Sequence, residues 1–244
     1  MARAARLALA GVPHHVVQRA RAGRMAFATD EERRAWLDRM FELAQECGVR
    51  VWGYCLMPDH VHLVAAPETE DGLGRVMRRL QADYARAANF FRRERGPLWE
   101  GRCASCAMTE ADALIAVAHI ELNPVRAGLA RHAVQHRWSS ARAHLVGTDP
   151  ERRLEMEAWA RHFTPEAWLE ALREGAPEPW VERFRMATRR GWPLGLEALA
   201  AECRAEGATA ERQSGFESSR AGYLSIFMGP KAGAAMPASS RRLT

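Results

Sequence analysis

Two apolar segments separated by only two residues constrain the fold of this chain most. Residues 49–57 and 60–66 are rich in valine, leucine and aromatic side chains, and Pro58-Asp59 stands between them. Proline and aspartate favour a tight turn, and apolar runs of this length and composition favour strands. The sequence therefore predicts two antiparallel strands joined by a turn.

The preceding and following segments predict a strand and two helices. Residues 12–19 are rich in β-branched side chains and predict a strand, after which Asp30 is a suitable N-cap for a helix that reaches about Cys47. Apolar side chains recur at helical spacing over about 73–95. This periodicity predicts a long amphipathic helix after the strand pair.

The rest of the first half completes a familiar order of elements. A fourth strand is expected after Gly96-Pro97, and Thr109 is expected to cap a helix that ends near Asn123-Pro124. The order β-α-β-β-α-β-α is that of a ferredoxin-like α+β sandwich with an extra C-terminal helix. We expect a four-stranded antiparallel sheet with the two long helices on one face.

The chain divides into three segments by composition. Residues 1–148 contain all the predicted strands, residues 149–206 contain short helical stretches separated by prolines, and residues 207–244 are dominated by small and polar side chains. We therefore expect one α+β domain, a helical C-terminal extension that includes a helix near 195–206, and a flexible tail.

The composition is that of a globular protein that does not span a membrane. Hydrophobic residues make up 48% and charged residues 27% of the chain. No apolar run approaches the roughly 18 residues that a membrane helix needs. Five cysteines form an odd number without a regular framework, which is typical of proteins in a reducing compartment. We expect a cytoplasmic protein.

Positive charge is concentrated in one segment. Residues 72–105 contain eight arginines and three carboxylates, a local excess of five, whereas the whole chain has a net charge of +5. Such a segment favours contact with phosphate groups, although a solvated helix face explains it equally well. Trp99 lies in a more open loop and is a candidate to stack on an unpaired base, whereas Phe91 continues the apolar stripe of the helix and is expected to pack. The candidate DNA contacts are Trp99, Arg75, Arg78, Arg79, Arg86, Arg93 and Arg102.

His60 and His62 are the strongest candidates for chemistry. Side chains two residues apart on a strand point to the same face, so both imidazoles can reach one divalent cation. Two half-buried strand histidines with ordinary hydrogen bonds are the alternative. On the helix that ends near residue 123, His119 and Asn123 are four residues apart and share a face, either as a buried polar pair or as the second half of a site.

Several motifs, taken together, resemble the REP-associated tyrosine transposases. This family is related to the small single-strand insertion-sequence transposases of the HUH (His-hydrophobic-His) nuclease superfamily. The resemblance covers about residues 6–148, includes the arginine-rich helix with Tyr84, and extends to TRRGWPLGLEAL at 188–199. The other motifs, in chain order, are GVPHHVVQR, YCLMPDHVHLV, PLWEGRCAS, HIELNPVRAGL and RWSSARAHL.

The resemblance implies binding, cleavage and strand transfer of single-stranded or hairpin DNA during transposition. It implies that His60, His62 and Asn123 bind Mg²⁺ or Mn²⁺, which polarises the scissile phosphate. In the family a tyrosine four residues before the amide ligand attacks the phosphorus and forms a 5′-phosphotyrosine. The protein is expected to be a monomer or a homodimer.

The nucleophile of the family is missing, because His119 stands where the tyrosine is expected. The three tyrosines, Tyr54, Tyr84 and Tyr223, all lie elsewhere. His119 is open to three interpretations: a nucleophile that forms a phosphohistidine, an additional metal ligand with water as the nucleophile, or a remnant in a protein that only binds DNA. We rank the second and third above the first, since neither needs a new covalent mechanism.

Overall fold

The computed structural model describes residues 8–197, and a four-stranded sheet lies at its centre. The strands are β1 (His14–Arg19), β2 (Val49–Leu56), β3 (His60–Pro67) and β4 (Ala104–Ala107). Their order in the sheet is β2-β3-β1-β4, and each neighbouring pair is antiparallel. The predicted α+β sandwich with an antiparallel four-stranded sheet is confirmed.

Helices cover both faces of this sheet. Helices α1 (Asp30–Glu46) and α2 (Gly72–Arg92) pack together on one face, and α3 (Glu110–Glu121) packs on the other. The two long helices therefore share one face, as the order of elements predicted. The shorter helices that follow are α4 (Asn123–Arg126), α5 (Ala141–Val146), α6 (Met156–Ala160), α7 (Pro165–Glu174) and α8 (Glu178–Arg190), with a 3₁₀ turn at Ala133–Gln135.

Helix α3 is buried on all sides because it lies between the sheet and the C-terminal helices. Its approach to β2 depends on Gly53, where a Cβ atom would stand 2.8 Å from Cγ1 of Val117. On its other side, the core formed with α3 includes Trp168 of α7 and Trp180 of α8. The helices beyond residue 149 thus share a hydrophobic core with the sheet. They lie on the same face of the sheet as α3, and their side chains come close to β1 and β3 there.

The ends of the helices differ in detail from the sequence-based expectation. Thr29, and not Asp30, caps α1, since its hydroxyl accepts a hydrogen bond from the backbone of Glu32. Thr109 caps α3 as expected. Helix α2 stops at Arg92 because Arg93 adopts a left-handed conformation with φ of 54°.

Several expectations concern residues outside 8–197. The predicted tail over 207–244 and most of the predicted helix near 195–206 lie outside the described residues. Within the described range, no helix combines the length and the apolar character needed to cross a bilayer.

Candidate active site

The alternation of β3 places His60 and His62 together on one face of the sheet. Their ring centroids are 4.9 Å apart, with the planes nearly perpendicular. Val61, between them, is buried on the opposite face, in the core beneath α1 and α2. The two imidazoles therefore face the side on which α3 and α8 pack, close to the turn that joins β2 and β3.

Each imidazole of this pair is held through its Nδ1 atom. His60 Nδ1 forms a hydrogen bond of 2.7 Å with Oδ1 of Asp59 in the turn. His62 Nδ1 lies 2.9 Å from Nε2 of His15, which is on the neighbouring strand β1. These contacts leave the Nε2 atoms as the nitrogens that could bind a metal ion, and a partner on the other ring nitrogen is what orients a histidine ligand.

Burial keeps both imidazoles neutral at ordinary pH. Loss of hydration lowers the pKa of His60, although the neighbouring Asp59 carboxylate opposes this shift. The pKa of His62 is lowered well below its ordinary value, first by burial and then by the nearby His15 and His60. Since a metal ion binds the neutral form of imidazole, the charge state of this pair suits metal binding.

His119 reaches the same region from the last turn of α3 but is enclosed by α8. Its ring lies 5.5 Å from Phe184 and 6.2 Å from Trp180, measured between centroids, and only 5% of the residue is exposed. Its Nδ1 atom is buried without a hydrogen-bond partner. Burial, together with the nearby Arg126 guanidinium, lowers the pKa of His119 to about 2.

Asn123 is the first residue of α4, and its side chain is hydrogen-bonded to an arginine of the same helix. Its Oδ1 atom accepts a hydrogen bond from Arg126, and its Nδ2 atom is buried without a partner. A metal ion would compete with the guanidinium for that oxygen. Among residues 8–197, no three His, Cys, Asp or Glu side chains are arranged to hold a metal ion. The neutral imidazoles of His60 and His62 suit a divalent cation chemically, and metal binding by these two residues and Asn123 stays a prediction.

These side chains open onto one cavity of about 1070 Å³ that α8 helps to form. His60, His62, His119 and Asn123 all line it. Four arginines and two glutamates also line it, so the cavity carries more positive than negative charge and suits a phosphate group. These charged residues are Arg19, Arg102, Arg185, Arg189, Glu100 and Glu182.

Sequence reasoning identified only Arg102 among the four arginines of the cavity. Arg19 is the last residue of the motif GVPHHVVQR, and its place in this motif was a usable signal. Arg185 and Arg189 belong to α8, in the extension. Arg189 lies in the motif TRRGWPLGLEAL, which was a usable signal, whereas no local pattern marked Arg185.

The other predicted DNA contacts lie away from this cavity. Helix α2 packs on the opposite face of the sheet, and three of the predicted contacts on this helix form ion pairs with carboxylates. The pairs are Arg75–Asp71, Arg79–Glu46 and Arg86–Asp83. Arg78 and Arg93 are also part of α2 or its C-terminal end. Phosphate contact by these residues stays a prediction.

The exposure expected for the aromatic residues near α2 is wrong. Trp99 is only 9% exposed, because its ring packs 5.8 Å from Tyr84 and its Nε1 donates to the backbone carbonyl of Gln81. Phe91, expected to pack, is 79% exposed, as is Phe90. The apolar stripe of α2 ends before its last turn, which extends beyond the core.

Neither described tyrosine lies at the cavity. The Tyr84 hydroxyl donates to the backbone carbonyl of Ala26, and Tyr54 packs edge-on against Phe41. Burial raises the pKa of both phenols. Tyr223 lies outside the described residues. Within residues 8–197, no tyrosine is therefore placed to act as the nucleophile, and His119 occupies the position expected for one.

Comparisons with known proteins place these features in context. Residues 10–120 match the protein family described as "Transposase IS200 like". A solved structure of a REP-associated tyrosine transposase bound to a REP hairpin superposes with a TM-score of 0.52 at 18% sequence identity, covering 62% of this chain and 89% of that one. At this identity the match shows a shared fold. A search of curated proteins found no match.

Proposed function

Because residues 10–120 form a domain of the IS200-like transposase family, we propose that this protein binds hairpin-forming single-stranded DNA and cleaves it beside His60 and His62. The observation that carries the proposal is the pair of neutral imidazoles, each held through Nδ1, at an arginine-lined cavity. The hairpin bound in the similar structure supports the choice of substrate.

We propose that the Nε2 atoms of His60 and His62 hold Mg²⁺ or Mn²⁺, with Asn123 as the third candidate ligand. Such a cation supplies Lewis-acid stabilisation of the charge that develops on a phosphate during cleavage. Asp59 and His15 fix the two imidazole rings, so the ligands are oriented before the cation and the substrate arrive.

The arginines divide into two groups in this proposal. Arg19, Arg102, Arg185 and Arg189 line the cavity and are proposed to bind the phosphates next to the cleaved bond. The arginines of α2 lie on the opposite face of the sheet, so their proposed contacts are with phosphates remote from that bond. The first group orients the scissile strand, and the second adds salt-dependent affinity.

Water is the nucleophile that this site favours. His119 is enclosed by Trp180 and Phe184, and its Nδ1 atom has no partner that would orient it for attack. We propose that a water oxygen bonds to phosphorus and gives up one proton to solvent, that the bond from phosphorus to the 3′ oxygen breaks, and that this oxygen takes up one proton from solvent. The products are a 3′-hydroxyl and a 5′-phosphate, and no covalent protein–DNA adduct forms.

The test is cleavage of a labelled single strand that carries a hairpin, in the presence of Mn²⁺, followed by denaturing electrophoresis. The expected result is cleavage without an adduct, abolished by EDTA and by His60→Ala. DNA binding by His60→Ala should persist, because this half-buried side chain lies outside the two hydrophobic cores. Equal cleavage by parent and variant would refute the assigned metal site.

A second candidate function is DNA binding without cleavage. The observation that favours it is His119 itself, at the position of the family's tyrosine and covered by α8. Retained hairpin binding with no cleavage by the parent, in either Mg²⁺ or Mn²⁺, would establish this function instead.

Location in the cytoplasm, a monomeric or dimeric state, and a domain boundary at residue 148 also stay predictions.

A further inference from the structure

A chain of hydrogen bonds links His62 to the C-terminal helix α8. His62 Nδ1 lies 2.9 Å from His15 Nε2, and His15 Nδ1 lies 2.9 Å from Oγ1 of Thr188. The same hydroxyl is 3.3 Å from Sγ of Cys106 on β4. Three strands and one helix thus contribute to a single chain of contacts, in which Thr188 is 173 residues beyond His15.

The members of this chain are shielded from bulk solvent, although His15, His62 and Thr188 also line the cavity. His15, His62, Thr188 and Cys106 are all buried. The ring of His15 is nearly parallel to that of His62, with centroids 5.2 Å apart, and its centroid lies 4.4 Å from that of Phe184. The position of the His15 ring is therefore fixed, and only the placement of its single proton is free to change.

The N–H protons of the His15 and His62 rings can be placed in two alternative ways, and the two rings must adopt the same one together. His15 Nε2 faces His62 Nδ1 at 2.9 Å, so one of these two nitrogens carries the proton of this hydrogen bond and the other accepts it. If His15 Nδ1–H donates to Thr188, His15 Nε2 accepts from His62 Nδ1–H, and the Nε2 lone pair of His62 faces the cavity. In the reverse order, His62 carries its proton on Nε2 and cannot bind a cation there.

We propose that Thr188 is a positioning residue whose hydroxyl permits the tautomer of His62 that binds metal. The hydroxyl faces His15 Nδ1 and can accept its N–H while it donates its own O–H to the Cys106 sulfur. This inference rests on the proposed metal site at His60 and His62. It makes α8 part of the metal centre, although no residue of α8 is a ligand.

The decisive variants are Thr188→Val, which keeps the shape and removes the hydroxyl, and Thr188→Ser, which keeps the hydroxyl. With valine, an N–H on His15 Nδ1 would be buried without an acceptor, so the reverse proton order is favoured. Thr188→Ala removes the hydroxyl without a second branch and serves as an alternative if valine disturbs packing. Val181→Ala weakens the packing of α8 elsewhere and is the matched control.

Two measurements on the full chain test the proposal. Mn²⁺ affinity, followed by electron paramagnetic resonance of the free ion, should fall about 10- to 100-fold in Thr188→Val, as is typical when a partner of a metal ligand is lost. Thr188→Ser and Val181→Ala should keep the parental affinity. Long-range ¹H–¹⁵N spectra of metal-free and Mg²⁺-containing protein report the tautomers of His15 and His62, and Thr188→Val should shift both towards Nε2–H.

The outcomes separate this inference from the proposed function. If the parent binds Mn²⁺ but Thr188→Val and Thr188→Ala bind it equally well with unchanged tautomers, the positioning role of Thr188 is refuted and the metal site stands. If the parent binds no Mn²⁺, the metal site is refuted. The tautomers of the metal-free variants then still decide whether the hydroxyl sets the proton order of the two histidines.

Discussion

Removal of the Glu121 carboxylate should destabilise the protein more than any surface substitution. Glu121 ends α3 and is fully buried, and three donors surround its carboxylate. Ser140 Oγ lies at 2.5 Å, His144 Nδ1 at 2.7 Å and Trp168 Nε1 at 3.0 Å. The carboxylate thereby connects α3 with α5, α7 and the residue before α5.

The size of the effect follows from the donors that lose their acceptor. In Glu121→Ala the side chains of His144 and Trp168 lose a buried acceptor, whereas Ser140 Oγ keeps a contact with the Tyr54 carbonyl. Loss of one partner from a buried charged network costs about 3–5 kcal/mol of unfolding free energy. For a chain of this size that corresponds to a fall in Tm of roughly 6–20 °C. Glu121→Gln keeps one acceptor oxygen and should cost about 1–3 kcal/mol.

Urea and thermal unfolding, followed by circular dichroism, measure both variants against the parent. Glu170→Ala on α7 is the matched control, because Glu170 pairs with Arg173 at the surface and should change stability by less than about 1 kcal/mol. A loss below about 1 kcal/mol for Glu121→Ala would refute the argument that this buried network holds the C-terminal helices to α3.

Three further predictions concern DNA binding, the nucleophile and pH. Joint replacement of Arg78 and Arg79 by alanine should flatten the log–log salt dependence of hairpin binding by up to about two units, whereas an unchanged slope would mean that neither contacts phosphate. His119→Tyr, incubated with labelled hairpin DNA and Mn²⁺, should give an adduct on a denaturing gel that the parent lacks; an acid-labile adduct with the parent would instead make His119 the nucleophile. Because burial lowers the pKa of His119 from 6.5 to about 2, the unfolded chain binds the extra proton and stability falls as pH drops below 6.5. Urea unfolding at pH 7 and pH 5 should show a smaller fall for His119→Phe, and an equal fall would contradict this pKa.

The sheet was predictable because its evidence is local. The segments on either side of Pro58-Asp59 are contiguous in sequence, and the two-residue period of a strand places His60 and His62 on one face whatever surrounds them. The order of elements then limits the arrangement of the sheet to few topologies. These steps need no knowledge of side-chain packing.

The surroundings of the site were not predictable by the same reasoning. Helical periodicity shows which residues share a face, but not where a helix leaves the core, which is why Phe91 is exposed and Trp99 is buried. The ion pair of Arg79 depends on a carboxylate from another element, Glu46 of α1. The position of α8 depends on packing between residues that are more than 60 apart in sequence, such as Trp180 and Asp112.

Helix α8 couples the two unusual features of the site. Trp180, Phe184 and Thr188 are spaced by four residues and therefore lie on one face of the helix. The first two cover His119, and the third completes the hydrogen bonds of His15. A displacement of α8 that exposes His119 would also remove the hydroxyl that orders His15 and His62. Attack by His119 would thus weaken the proposed metal site, whereas attack by water leaves α8 in place, and this difference supports the proposal that water is the nucleophile.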